Sequence, residues 1–184
     1  VVSLNLPMIL QESRVQNVDF YEMLEEYLQM IREIHIRTSA YLSKMLASSN
    51  PVAYCGGGFL NGNLNPGDVI ASLLPSATAS FGITALQELQ MLYNKKPLTE
   101  DNAFVLQTLH FINKKINEWK YADGNLYAIY GTPAENLCGL QAKQFKARYG
   151  IIEGVSDRSY FSNSFHCHVS ADITPIEKQD LEEP

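Results

Sequence analysis

The sequence has 184 residues, of which 46% are hydrophobic and 18% charged, so it is long enough for one globular domain and too apolar to be disordered. Its formal net charge of -6 argues against a surface that coats DNA or RNA, because such a surface needs an excess of lysine and arginine. No apolar run approaches the roughly 18 residues of a membrane helix. The three cysteines show no CxxC or CxxH spacing, which indicates a reducing cytoplasm and neither a disulfide scaffold nor a structural zinc site.

Strands and helices alternate along the predicted elements. In the first half of the chain we expect a strand at Val1–Leu6, a helix at Asp19–Leu46, a turn-rich loop at Ser48–Asp68, a strand at Ala77–Ile83 and a helix at Thr84–Tyr93. In the second half we expect a helix that begins at Leu98–Thr99 and ends just before Gly124 as its C-cap, a strand at Leu126–Tyr130, a helix from Thr132 to Arg148 that stops at Gly150, and a strand at Ser164–Val169. Asp19 with Glu22, and Thr84 with Gln87, have the spacing of capping boxes. This order predicts parallel strands with helices outside them, as part of an α/β layer or barrel.

The two ends of the sequence carry no obvious terminal segments. It begins inside a β pattern without an initiator methionine, and its last seven residues form no capped element. Because domains usually begin and end in exposed polar segments, we expect the sequence to be a piece of a longer protein.

The turn from Gly131 to Glu135 is a candidate anion site. It joins the end of a predicted strand to a helix start with Thr132 as cap and Pro133 at the first position, where backbone N–H groups and the helix dipole attract negative charge. The local spacing by itself favours the alternative that Thr132 caps its own helix and binds nothing. No Walker lysine and no GxGxxG motif occurs, so the standard mononucleotide loops are excluded.

The histidines and cysteines give weaker signals. His166 and His168 would share one face of the last predicted strand, but no clustered carboxylate or cysteine completes a metal site there, and a structural or solvent-facing role is favoured. Cys55, Cys138 and Cys167 are each more typical of small buried residues than of nucleophiles. We therefore predict no metal site.

Short polar side chains mark one face of two predicted strands. Ser3 and Asn5 lie on the first strand, and Ser76, Thr78 and Ser80 lie on or beside the second. Such residues would face solvent in an open sheet, or line a wet lumen in a wide barrel. The local pattern does not decide between these two arrangements.

Five segments, in order over nearly the whole chain, resemble the anaerobic (class III) ribonucleoside-triphosphate reductases, a family of glycyl-radical enzymes. They are Val2–Pro7, Ala79–Glu88, Gly131–Leu137, Tyr149–Arg158 and Tyr160–His166, the last of which is close to the family signature YYTNSFH. The resemblance implies an α/β fold, the C-terminal half of a ten-stranded barrel of the ribonucleotide reductase type. Residues 1–184 would then form a partial catalytic barrel domain, with the finger-loop cysteine upstream and the zinc and glycyl-radical segment downstream.

The resemblance also implies an activity and its requirements. Members reduce ribonucleoside triphosphates to deoxyribonucleoside triphosphates by glycyl and thiyl radical chemistry, commonly with formate as reductant. The radical is installed by a radical-SAM activase, and the full-length enzyme is expected to be a homodimer. The isolated chain is expected to be inactive, because no cysteine in it matches the catalytic position.

The family pattern assigns roles to a few residues of this sequence. Asn5 matches an asparagine that stands where other reductase classes have a redox cysteine, and we predict a catalytic role for it. The predicted substrate-binding residues are Gly131, Thr132, Pro133, Ala134 and Glu135 at the phosphate turn, and Asn163, Ser164 and His166 in the last signature, which Phe165 also matches. Two other hypotheses remain open here: a pyruvate formate-lyase relative with the same barrel, and a non-catalytic assembly module.

Overall fold

A computed structural model describes residues 1–133 and 135–182. The strands are β1 (Val2–Ser3), β2 (Ala79–Ile83) and β3 (Tyr127–Gly131). The α-helices are α1 (Leu6–Gln16), α2 (Phe20–Leu42), α3 (Pro51–Tyr54), α4 (Leu86–Asn94), α5 (Ala103–Asp123), α6 (Glu135–Tyr149) and α7 (Pro175–Glu182). Short 3-10 helices cover Ala47–Ser49, Ile70–Ser72 and Leu74–Ser76 within the long connection from α2 to β2.

The three strands form one parallel sheet in the order β1-β2-β3. Ser3 pairs with Gly82, and Gly82 pairs in turn with Tyr130. The predicted parallel α/β layer is therefore confirmed, and all three carboxyl ends lie at one edge of the sheet.

The two faces of the sheet differ in cover. Phe81 of β2 is fully buried and packs edge-on against His35 of α2 at 5.2 Å between ring centroids, with Trp119 of α5 at 6.2 Å. Because alternate residues of a strand point to opposite faces, the other face carries the neighbours of these residues, among them Tyr130, which is 43% exposed, and Ser3, which is half-buried. The chain thus keeps one sheet face against helices and leaves the other more open.

An ion pair joins the two longest helices on the covered side. Arg32 of α2 contacts Asp123 at the end of α5 through two hydrogen bonds, one of them 2.7 Å from Nε to Oδ2. This arginine holds the pKa of the Asp123 carboxyl below its ordinary value. Tyr127 of β3 also donates to Asp123, so the network fixes both helices to the third strand.

The prediction of a strand through Leu6 is wrong. β1 ends at Ser3, and α1, which the sequence analysis missed, begins at Leu6 with Asn5 as its N-cap. Pro7 in the first turn explains the change, because its fixed backbone angle suits a helix start and it has no N–H to donate to a sheet.

Several helix boundaries also differ from the expectations. α2 begins after Asp19, whose carboxylate accepts from two backbone N–H groups as predicted, but it ends at Leu42. Thr84 does not cap α4, because Ala85 intervenes in a left-handed conformation, with φ of 64°. The helix expected from Leu98–Thr99 begins at Ala103 and ends before Gly124, whose φ of 66° confirms the predicted C-cap.

The strand predicted at Ser164–Val169 is wrong as well. Ser164 has a φ of 48°, and a backbone hydrogen bond from His166 to Asn163 turns the chain at once. The segment continues without regular structure to α7, a helix that the sequence analysis did not expect at the C-terminal end. Among the described residues, no helix is long and apolar enough to cross a membrane.

Candidate functional site

The carboxyl ends of the strands are joined by one side-chain hydrogen bond. Ser3 Oγ at the end of β1 lies 2.9 Å from Thr132 Oγ1, directly after β3. The backbone N–H of Thr132 donates to the carbonyl of Ile83 at 3.0 Å and so extends the pairing of β3 with β2. The predicted phosphate turn is therefore fixed to both neighbouring strands, and the N–H of Thr132 is already bonded within the protein.

Gly82 makes this approach possible. It lies in β2 beneath the two hydroxyl groups, and a Cβ at this position would collide with Ser3 Oγ and Thr132 Oγ1 and would lie 2.9 Å from Val1 Cγ1. A side chain larger than hydrogen would therefore separate the two strand ends.

The two predicted substrate-binding segments meet at this edge. The backbone N–H of Ser164 donates to the carbonyl of Thr132 at 3.2 Å. A Cβ on Gly131 would lie 2.7 Å from the Phe165 ring, so that ring sits directly against the turn. The predictions for Ala134 and for the Glu135 side chain lie outside the described residues, and Pro133 is exposed.

Asn5 lies just beyond the end of β1 and is half-buried. Its Oδ1 accepts from the backbone N–H of Met8 at 3.4 Å, which is a long N-cap contact. Within the residues that the structure describes, the amide nitrogen of Asn5 has no hydrogen-bond partner. Asn5 thus has a structural contact through its oxygen and a donor that is not used by the fold.

A buried polar cluster supports the first strand end from behind. The carbonyl of Leu4 lies 3.0 Å from Thr84 Oγ1 and accepts from Gln141 Nε2 at 3.4 Å. Thr84 Oγ1 is also 2.8 Å from Gln141 Oε1. The cluster connects β1 to the start of α4 and to α6, and all its side chains are buried.

A second buried group holds the signature segment. Glu88 in the first turn of α4 is 2% exposed, and its carboxylate accepts from Ser162 N–H at 3.0 Å and from Ser162 Oγ–H at 2.6 Å. Burial raises the pKa of Glu88, while the two donors of Ser162 act to lower it. The sequence alone does not mark Glu88 as a site residue, because a glutamate in the first turn of a helix is ordinarily a surface residue that interacts favourably with the helix dipole.

The far end of the signature contacts α7. His166 Nδ1 lies 2.9 Å from Glu182 Oε2, and the N–H of Cys167 donates to Glu182 Oε1 at 3.2 Å. A cleft of about 660 Å³ opens beside this segment. Its lining includes Asn136, Tyr160, Phe161, Asn163, His166 and Lys178.

The two histidines do not lie on a strand, and two of the cysteines are buried. His168 Nδ1 accepts from the N–H of Ser170 at 3.0 Å, and the expectation of a shared strand face with His166 fails with the strand itself. Cys138 and Cys167 are buried, and burial raises the pKa of the Cys167 thiol. Across residues 1–133 and 135–182, no three His, Cys, Asp or Glu side chains come together in a way that could hold a metal ion.

These features define an α/β protein with a polar site at the carboxyl ends of its parallel strands, where such sheets commonly bind ligands. The sequence model of one family, described as anaerobic ribonucleoside-triphosphate reductase, matches residues 1–184. Curated proteins of that name are similar over essentially the whole chain: 29% identity over 193 residues in Escherichia coli, 30% over 188 residues in Haemophilus influenzae and 30% over 190 residues in Enterobacteria phage T4.

The chain belongs to the anaerobic ribonucleoside-triphosphate reductase family. It spans 26% of the length of the Escherichia coli and Haemophilus influenzae relatives, and 30% of the phage T4 relative, while 99–100% of this chain is covered in each comparison.

Proposed function

We propose that this chain is part of the catalytic α/β barrel of an enzyme that reduces ribonucleoside triphosphates to deoxyribonucleoside triphosphates. The observation that carries the proposal is the Ser3–Thr132 hydrogen bond on the open sheet face, with residues 163–165 seated on the same turn. The three strands would be part of the ten-stranded barrel, with Ser3 and Tyr130 facing its lumen.

In this proposal the triphosphate binds at the start of α6. Thr132 N–H is bonded to Ile83 and Pro133 has no N–H, so the donors must come from the first turn of α6, whose N–H groups lack partners within the helix. The positive end of the helix dipole adds about 0.3–1 kcal/mol for each such charge interaction at an exposed site. Several N–H groups must therefore act together.

The ribose would lie over the hydroxyl pair of Ser3 and Thr132. Hydroxyl groups can donate to or accept from the hydroxyls of a sugar, and the unused amide nitrogen of Asn5 can donate to the substrate or to formate. A thiyl radical, formed from a glycyl radical that a radical-SAM activase installs, would supply hydrogen abstraction from the ribose. This chain's residues bind and orient the substrate for that step.

Thr132→Val tests the proposal in the full-length enzyme, with activase and formate supplied anaerobically. Valine keeps the size of threonine and removes the hydroxyl, so we expect KM for the ribonucleoside triphosphate to rise about threefold to tenfold from the loss of one hydrogen bond. Thr108→Val is the matched control, because Thr108 is also buried and its hydroxyl donates to the Phe104 carbonyl within α5. A wild-type enzyme without deoxyribonucleotide product, or equal kinetics in both variants, would contradict the proposal.

A further inference from the structure

Residues 161–167 have no helix or strand to fix them, yet they lie against the proposed site. Their conformation includes Ser164 in the left-handed region, with φ of 48°, a backbone geometry that serine rarely adopts. Such a segment holds one arrangement only if contacts from outside it impose that arrangement.

Three of those contacts converge on Ser162. Its N–H and its hydroxyl both donate to the Glu88 carboxylate, and its carbonyl accepts from the N–H of Ala85 at 2.9 Å. Ala85 itself has a φ of 64°, which aims its N–H at Ser162 and places Glu88 in the first turn of α4. Three hydrogen bonds from one short stretch of α4 thus fix a single residue beside Asn163.

We propose that Glu88 is a positioning residue of the reductase site, which acts through Ser162 to hold Asn163, Ser164 and Phe165 against the Gly131–Thr132 turn. This inference rests on the proposed function, in which these residues contact the ribonucleoside triphosphate. Two oxygens that both accept are what the two donors of Ser162 require, and the adjacent Asn163 borders the 660 Å³ cleft. Among the described residues, the Glu88 carboxylate forms its hydrogen bonds with Ser162, so its proposed effect on substrate passes through the segment.

Glutamine at position 88 can preserve two hydrogen bonds with Ser162, and alanine cannot. In Glu88→Gln the amide oxygen can accept from Ser162 N–H, and the amide nitrogen can donate to Ser162 Oγ, whose hydroxyl hydrogen turns away. Glu88→Ala removes both acceptors and leaves a buried N–H without a partner. Gln87→Ala is the matched control, because Gln87 is the neighbouring buried residue of α4 and bonds to the N–H of Leu98, remote in sequence from the signature.

Two measurements on the full-length enzyme decide the matter: hydrogen exchange of the amides of residues 161–167, and kcat and KM for the ribonucleoside triphosphate. We expect Glu88→Ala to lower exchange protection of the segment about tenfold or more and to raise KM about tenfold, from the loss of two hydrogen bonds. Glu88→Gln should stay within about threefold of wild type in both. Gln87→Ala should leave both unchanged, even where it lowers Tm.

Three results would overturn the inference. The first is unchanged exchange protection or unchanged KM in Glu88→Ala, and the second is an equal effect of Gln87→Ala on the segment. The third is a loss of exchange protection in Glu88→Gln as large as in Glu88→Ala, which would assign the effect to the charge of the carboxylate. If the wild-type enzyme forms no product, the proposed function fails, and the exchange measurement still shows whether Glu88 holds the segment.

Discussion

Gly82→Ala inserts one methyl group between the two strand ends that form the candidate site. Gly82 pairs with Ser3 on one side and with Tyr130 on the other, so it lies in the middle of the sheet. The new Cβ would lie 2.9 Å from Val1 Cγ1 and would collide with Ser3 Oγ and Thr132 Oγ1. We expect the hydroxyl groups to move apart and their hydrogen bond to break.

The size of the effect follows from these contacts. Overpacking a close contact costs about 1–3 kcal/mol, and the lost hydrogen bond adds about 0.5–1.5 kcal/mol. The lower conformational freedom of alanine in the unfolded chain offsets about 0.5–1 kcal/mol. We therefore expect the free energy of unfolding to fall by about 0.5–4 kcal/mol.

Denaturant unfolding of the protein that carries this chain measures the change. Gly67→Ala is the control, because a Cβ on Gly67 meets nothing within 4 Å, and we expect it to change stability by no more than about 1 kcal/mol. Ser3→Ala in the Gly82→Ala background should cost less than the same change in wild type, since it relieves one of the collisions. A Gly82→Ala protein as stable as the control, or strictly additive effects of the two changes, would refute the close approach of the strand ends.

Three further predictions concern the α1 cap, the Asp123 ion pair and two glycines with positive φ. Asn5→Ala should lower the free energy of unfolding by about 0.5–2 kcal/mol through loss of the α1 cap, while Asn5→Ser, which can still cap, should retain stability. If both variants lose turnover, the amide group of Asn5 is required for the reaction. Full turnover in Asn5→Ser would contradict the catalytic role of Asn5. Asp123→Asn should be less stable than wild type at neutral pH. Because the pKa of Asp123 is lowered in the folded protein, the difference in stability should shrink as pH falls below about 4. A difference in stability that does not change with pH would contradict the contribution of the ion pair. Gly154→Ala, where φ is 73°, and Gly124→Ala, where φ is 66°, should both reduce Tm, because alanine is strained at positive φ. A Cβ at position 154 would meet the flexible end of the Met91 side chain, which can move, so we expect the two shifts to be similar. An unchanged Tm in both variants would contradict the left-handed backbone at these positions.

The alternating α/β order could be predicted from local patterns, because strand periodicity and helix caps are short-range signals. Asp19 and Gly124 illustrate this, since each marks a helix end as its residue type predicts. The failures at Val1–Leu6 and Ser164–Val169 have a common cause. In both segments alternating apolar residues suggested a strand, while Pro7 and the turn at Asn163–His166 determine the backbone.

The candidate site was predictable only in part. The resemblance identified Thr132 and Ser164 as members of two separate motifs, and the structure brings them together through a backbone hydrogen bond. No local pattern marks Glu88, because its burial arises from the packing of a segment more than 70 residues away. Proline at position 132 would remove the N–H that bonds to Ile83, so Thr132→Val separates binding from folding more cleanly than Thr132→Pro.

A structure of the full-length protein with a bound ribonucleoside triphosphate tests the central claim most directly. We expect the triphosphate within hydrogen-bonding distance of the first turn of α6, and the ribose over Ser3 and Thr132 on the open face of the sheet, near the amide of Asn5. A nucleotide bound elsewhere in the catalytic domain, with Ser3 and Thr132 covered by protein, would contradict it.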